Sequence, residues 1–198
     1  MDFLLTEDQR RFREDARTRL SAFVRRKPGK GIGPEAFIES IETAAGRNFS
    51  PADRALLAEE VGRVIPGAAI GIDLAAAIPA GPLTALAAAV GLMETLFDSL
   101  AAAAPAAVAG PLSSAVADLS AAKMYLYRRT VLSAERVREH VSGGSDREAA
   151  LEHAHAAGAA LGAALRAAKA RGRRLAPAFE ILTRLLAEAG RVPGATRP

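Results

Sequence analysis

The sequence contains no cysteine and no tryptophan, and its 198 residues include two tyrosines and seven phenylalanines. Without cysteine the chain can form neither a disulfide framework nor a cysteine-based zinc site, and it offers no thiolate nucleophile. Few aromatic side chains leave little surface on which nucleic-acid bases could stack. The first residues lack the basic flank and apolar run of a secretory leader, so we expect a cytoplasmic protein.

Neither sign of charge is in large excess. Lysine and arginine total 26 against 22 aspartates and glutamates, which gives a net charge of +4. Arginine carries the surplus and alanine is abundant, a composition typical of GC-rich genomes. The charge alone therefore does not predict a polyanionic partner, and a basic helical nucleic-acid-binding protein is kept as a second alternative.

Helical periodicity dominates the chain. Phe12, Ala16 and Leu20 recur at helical spacing among charged residues, which is typical of an amphipathic helix. Capping signals at Thr6–Gln9 and Ser50–Pro51 predict helix starts. No stretch alternates with period two, so the predicted class is all-α, a helical bundle. The predicted helices cover residues 3–26, 35–45, 51–64, 83–104, 112–141, 145–174 and 177–189.

Residues 65–93 are nearly all apolar, and Asp73 is the one charge among them. A membrane span would explain such a run. However, alanine contributes little transfer energy, and proline and glycine at 66–67 and 81–82 interrupt the stretch. We therefore expect buried helices that pack closely through alanine and glycine, and no membrane contact.

Three segments resemble acyl-CoA dehydrogenases, in the family's order. Residues 2–13, Asp-Phe-Leu-Leu-Thr-Glu-Asp-Gln-Arg-Arg-Phe-Arg, resemble the family's first helix. Residues 58–63, Ala-Glu-Glu-Val-Gly-Arg, resemble a Glu-Glu-Leu-Gly-Arg segment of its N-terminal helical domain. Residues 117–129 are similar to the long helix of its C-terminal bundle. The resemblance implies two fused helical domains, an N-terminal region at 1–82 and a C-terminal bundle at 83–198.

The resemblance does not include the flavin-binding middle domain of that family. A β-sheet domain separates the two helical halves there, whereas Gly81-Pro82 leads here almost directly from one half to the other. The family's flavin-contacting Arg, Phe and Gln would fall near residues 103–115, which are rich in alanine. The resemblance thus implies a degenerate flavoprotein that binds no FAD unless a partner completes the site.

The same resemblance gives one candidate catalytic residue. Glu180 lies where the family has its catalytic base, although the family's following Gly-Thr is absent. A base that takes an α-proton needs a dry pocket that raises its pKa, and an exposed glutamate in a helix's first turn is the simpler interpretation. An apolar pocket lined by Met93, Phe97, Met124 or Tyr125, near a carboxylate of raised pKa, would instead indicate an enzyme that works without flavin.

A dense positive run lies near the predicted end of the alanine-rich helix. It could contact the phosphates of an acyl-CoA or of a carrier-protein phosphopantetheine. A solvated helix terminus that complements the helix dipole is the simpler interpretation. His153 and His155 lie two residues apart, a spacing that does not suit metal ligands on one helix, so no metal site is predicted. The run consists of Arg166, Lys169, Arg171, Arg173 and Arg174.

The leading hypothesis is a non-catalytic or partner-dependent subunit in acyl or polyketide-type metabolism. Its partner would be a second copy or an acyl-CoA dehydrogenase-like subunit, because the C-terminal bundles of that family form the oligomer core. Alanine-rich faces at 101–109 and 154–168 would allow close helix contact. The alternative is a flavin-independent isomerase or cyclase that uses an apolar cavity of the bundle.

Overall fold

The computed structural model describes residues 5–25, 50–64, 81–102, 106–130 and 145–191. Within these ranges the chain forms six α-helices and no strand, which confirms the predicted all-α helical bundle. The predicted helix over 35–45 and the apolar segment 65–80 lie outside the described residues. The helices are α1 (Glu7–Arg25), α2 (Pro51–Val64), α3 (Pro82–Ala101), α4 (Ala106–Thr130), α5 (Ser145–Ala167) and α6 (Lys169–Ala189).

The last four helices form an antiparallel four-helix bundle. Each of these helices packs against the next, and the last one, α6, also packs against α3. Arg128 near the end of α4 pairs with Asp146 at the start of α5. Arg171 at the start of α6 donates from Nε to the carbonyl of Ser99 near the end of α3, at 3.0 Å. Outside this bundle, α2 packs against α3 and α1 packs against α2.

Helix α3 is the central element, and its composition follows from that position. The side chains of Ala87, Ala88 and Val90 have no exposed surface. By length and composition α3 could span a membrane. Its contacts with α2, α4, α5 and α6 account for the apolar residues, because a helix surrounded by other helices is apolar on every side.

Two glycines allow α2 and α3 to touch backbone to backbone. A Cβ atom on Gly62 would lie 2.0 Å from the carbonyl oxygen of Ala88, and one on Gly91 would lie 1.9 Å from that of Glu59. No other residue type fits at either position without moving a helix. The crossing therefore fixes α2, including Glu59, directly against the central helix.

Both capping signals are confirmed. The amide of Thr6 donates to Oε1 of Gln9 at 2.9 Å, and the amide of Gln9 donates to Oγ1 of Thr6 at 3.3 Å. At α2 the amide of Asp53 donates to Oγ of Ser50 at 3.1 Å, while the carboxylate of Asp53 accepts from the Ser50 amide at the same distance. Local sequence alone thus determines where these two helices begin.

The sequence predicted that helices would be interrupted before Pro111 and before Pro177, and both predictions are wrong. Helix α4 begins at Ala106 and contains Pro111, and α6 contains Pro177. The chain instead turns at Ala168 and Lys169, where the prediction placed the interior of a helix. Neighbours of both prolines are buried, and this packing offsets the backbone hydrogen bond that each proline removes. The predicted continuation of α4 to 141 lies outside the described residues.

Candidate functional site

A buried charge network lies where α1, α2, α3 and α4 meet. Glu59 and Glu60 on α2 are buried almost completely. Ionised carboxylates are rarely found at such depth unless cations and hydrogen-bond donors surround them. The network consists of Arg13 and Arg17 from α1, Glu59, Glu60 and Arg63 from α2, Glu94 from α3, and Lys123 and Tyr127 from α4.

Glu59 is the centre of the network. Its Oε1 lies 2.6 Å from Nη2 of Arg63 and 3.1 Å from Nζ of Lys123. The hydroxyl of Tyr127 donates to Oε2 at 2.7 Å and accepts from Nη1 of Arg13 at 3.3 Å. Both carboxylate oxygens of Glu59 are therefore in contact with donors from other parts of the fold.

Glu60 ties the first helix to this network. Arg17 donates to both of its carboxylate oxygens, from Nε and from Nη2, each at 2.9 Å. Nε of Arg63 lies 3.3 Å from Oε1, and Nε of Arg13 lies 3.6 Å from the same oxygen. The two-pronged Arg17 contact is the strong form of a charge-assisted hydrogen bond, so it links α1 to α2 directionally.

Glu94 completes the network from α3. Nζ of Lys123 donates to its Oε1 at 2.7 Å, and Arg63 pairs with its Oε2. Lys123 and Arg63 therefore each contact two carboxylates, Glu59 and Glu94. These shared contacts connect α2, α3 and α4 through charge.

The surroundings of Glu59 and Tyr127 determine their protonation. Burial alone would raise the pKa of Glu59, but Lys123, Arg63 and the Tyr127 hydrogen bond together hold that pKa below the value of an ordinary glutamate. Burial and the adjacent Glu59 carboxylate raise the pKa of Tyr127. At neutral pH Glu59 is thus ionised and Tyr127 is neutral, and each carboxylate of the network pairs with at least two cations.

A cleft of about 410 Å³ opens beside the network. Its polar wall includes Arg63, Glu94 and Lys123, and its apolar wall includes Phe97 and Val116. Glu94 pairs with both Arg63 and Lys123, so the charged groups that line the cleft are already bound to one another. Asp98, Leu119 and Ser120 line the remainder.

A second, apolar depression adjoins the first. It measures about 370 Å³, shares Phe97 and Val116 with the cleft, and runs between the end of α3 and the start of α4. Val116 is 44 % exposed, more than any other large hydrophobic side chain whose exposure the structure describes. We call this depression the α3–α4 groove, and its lining residues are Phe97, Ala101, Ala106, Val108, Ala109, Leu112, Ser113 and Val116.

The four residues predicted to line one apolar pocket occupy different surroundings. Phe97 lines both the cleft and the α3–α4 groove. Met93 is fully buried within the core, and Met124 is partly buried. The ring of Tyr125 stacks on that of His153, with centroids 5.8 Å apart and planes 7° apart. The structure thus brings Phe97 to a cavity and places Tyr125 on the contact between α4 and α5.

Glu180, the predicted candidate base, is exposed on α6. It lies well inside that helix, which begins at Lys169, and not in a first turn as the sequence suggested. No described residue forms a hydrogen bond or ion pair with its carboxylate.

The positive run lies at the turn between α5 and α6. Arg166 is in the last turn of α5, where a cation complements the helix dipole. The other four residues lie in the first two turns of α6, at the positive end of that helix, so the dipole interpretation is wrong for them. Arg166, Lys169 and Arg173 line a cleft of about 440 Å³.

His153 contacts Asp118 across α4 and α5, with 2.9 Å between Nδ1 and Oδ1. Its other contact is the Tyr125 ring. Among the residues that the structure describes, no group of three or more histidines, aspartates or glutamates could hold a metal ion.

Comparisons with known proteins assign no family. No protein-family model, curated protein or solved structure matches the chain.

Sequence reasoning missed the buried charge network. Residues 58–63 stood out only for their resemblance to a family segment, although they include two adjacent glutamates. The spacing carried a signal, because Arg63 follows Glu60 by three positions and Glu59 by four, which places it on the same side of a helix as both. Its partners on α1, α3 and α4 are set by tertiary packing.

Proposed function

We propose that this protein is a non-catalytic helical subunit that acts by association, in acyl or polyketide-type metabolism as its resemblance to acyl-CoA dehydrogenases implies. The proposed partner is a second copy of the chain, and an acyl-CoA dehydrogenase-like subunit is the alternative partner. The association would involve the α3–α4 groove. In this proposal FAD is held only if a partner completes its site.

The single observation that carries the proposal is the internal pairing of the buried charge network. Proton transfer needs an acid or base that is free to exchange its proton with a substrate. Glu94, which lines the cleft, and the buried Glu59 each contact both Arg63 and Lys123. The network therefore supports rigid attachment of α1 and α2 to the bundle better than it supports catalysis.

The α3–α4 groove supports association. It is lined by apolar and small side chains, and residues 100–117 contain no charged residue. Charged groups are depleted from the centres of protein interfaces, so this part of the surface fits the middle of a contact between subunits.

The oligomeric state of the full chain tests the proposal. We expect native mass spectrometry and light scattering to detect a dimer whose fraction rises with protein concentration. Val116→Glu, which places a charge in the groove, should weaken the dimer at least about tenfold. Ser114→Glu, on an exposed position of α4 that does not line the groove, is the matched control. A chain that stays monomeric at every concentration would contradict the proposal.

Flavin binding provides a second test. We expect the protein to be colourless after incubation with excess FAD and desalting. A retained flavin absorption band would show that the chain holds the cofactor by itself, and the non-catalytic interpretation would then be wrong.

A further inference from the structure

The turn between α5 and α6 creates a cleft by bringing two helix ends close together. Lys169, next to the turn residue Ala168, adopts a φ of 47°, a left-handed conformation that helps to reverse the chain direction. Gly172 lies against the last turn of α5, since a Cβ atom there would be 2.0 Å from the carbonyl oxygen of Leu165. This approach forms the cleft of about 440 Å³, whose walls include Arg166, Lys169 and Arg173.

Along the chain, the charges near this cleft are of one sign. No aspartate or glutamate occurs between Glu152 and Glu180. Five cations occupy that interval, and we call them the basic corner: Arg166, Lys169, Arg171, Arg173 and Arg174. All five side chains belong to exposed residues. Arg171 donates to the carbonyl of Ser99, and the other four have no hydrogen bond or ion pair with any described residue.

Helix stability does not explain this arrangement. Cations stabilise the C-terminal end of a helix and destabilise the N-terminal end. Four of the five cations nevertheless lie in the first two turns of α6, which has no acidic residue in its first turn and no side-chain cap at Ala168. Repulsion among these like charges destabilises the start of α6 further. A bound anion would reverse both effects, because cations and helix N-terminus would then act on it together.

We propose that the basic corner is a binding site for a small ligand that carries a diphosphate group. Arginine donates in pairs to phosphate oxygens, which favours phosphate over a monovalent anion. One phosphate group carries about −1.5 to −2 charges at neutral pH, fewer than the three lining cations, whereas a terminal diphosphate carries about one charge more and matches them. The proposal does not depend on the α3–α4 groove or on the oligomeric state.

The shape and lining of the site favour a small ligand over a nucleic acid. The cations that line it surround one cleft whose volume, about 440 Å³, lies at the lower end of the range for small-molecule sites. A single-stranded nucleic acid is usually held along an extended groove with aromatic side chains that stack on its bases. The residues that line this cleft are Leu165, Arg166, Lys169, Gly172, Arg173 and Ala176, and none of them is aromatic.

The test is isothermal titration calorimetry of the full chain with inorganic pyrophosphate at low salt. We expect saturable binding that weakens as salt is added. The triple variant Arg166→Gln, Lys169→Gln, Arg173→Gln should bind at least about tenfold more weakly, because it lacks three charge-assisted contacts. The control variant Arg54→Gln, Arg129→Gln, Arg184→Gln removes the same charge from other exposed positions and should stay within about twofold of the original protein.

Three results would overturn the proposal. The first is absence of pyrophosphate binding at millimolar concentration, or equal binding by the original protein and the corner variant. The second is inorganic phosphate binding as tightly as pyrophosphate, which would exclude a diphosphate site. The third is a short single-stranded oligonucleotide that binds more tightly than pyrophosphate and is sensitive to the corner variant, which would favour a nucleic-acid site. Circular dichroism of each variant verifies that its helices are intact.

Discussion

Replacing Tyr127 with phenylalanine tests whether the buried charge network stabilises the fold. The change removes one oxygen atom and leaves the ring, so it creates no sizeable cavity. The lost hydroxyl donates to Oε2 of Glu59 at 2.7 Å and accepts from Nη1 of Arg13 at 3.3 Å. Since Glu59 is almost fully buried, water cannot replace the donor without rearrangement.

The expected loss follows from the charge on Glu59. A hydrogen bond to a charged group contributes about 1.5–3 kcal/mol, and removing one partner of a buried pair leaves the other poorly solvated. We therefore expect Tyr127→Phe to lower the free energy of unfolding by about 2 kcal/mol at pH 7. The pKa of Glu59 should rise in the variant, because the hydroxyl is one of the groups that lower it.

Urea unfolding followed by far-ultraviolet circular dichroism measures this loss. The other tyrosine supplies the control. Tyr125 is partly exposed and stacks on His153, and its hydroxyl has no hydrogen bond to the described part of the chain. We expect Tyr125→Phe to change stability by less than about 0.5 kcal/mol. Equal effects of the two substitutions would refute a stabilising role for the Tyr127 hydroxyl.

Three further outcomes are expected from urea unfolding. Gly91→Ala should lower the free energy of unfolding by at least about 2 kcal/mol, because its Cβ atom would lie 1.9 Å from a backbone oxygen. Gly110→Ala should raise the free energy of unfolding by up to about 1 kcal/mol, since no atom lies within 4 Å of the added Cβ. Similar effects of the two substitutions would argue against the α2–α3 crossing. Because the pKa of Glu59 is lowered by folding, its contribution is complete above the ordinary glutamate pKa of about 4.3 and is lost as the pH falls toward the folded-state value. Glu59→Gln should therefore flatten the acid side of a stability–pH profile, and an unchanged profile would contradict this assignment. Glu180→Gln should change stability by less than about 0.5 kcal/mol, since Glu180 is exposed, and a larger loss would indicate a contact outside the described residues.

The helical class and two helix starts were predictable because their causes are local. Thr6 with Gln9, and Ser50 with Pro51, place a capping side chain and a favourable first-turn residue within a few positions of each other. The break at Lys169 was not predictable in this way. It requires a left-handed lysine and depends on the contact between Gly172 and Leu165, which only the packed helices supply.

The charge network was partly encoded in the sequence. The relation of Glu59 and Glu60 to Arg63 is a matter of helical spacing. The positions of Lys123 and Tyr127, more than sixty residues away, depend on the register of α4 against α2 and α3. Single-sequence patterns do not carry that register.

The position of one helix boundary changes the interpretation of the basic corner. If one helix ran to Arg174, its last turn would hold cations that stabilise it, and the run would need no ligand. The boundary instead lies between Ala167 and Lys169, so the same side chains occupy the beginning of the next helix. Their charges then oppose the dipole, and the first turn of α6 has no acidic residue to compensate them. The earlier position of the helix boundary thus makes this basic run a candidate anion site and not an ordinary helix end.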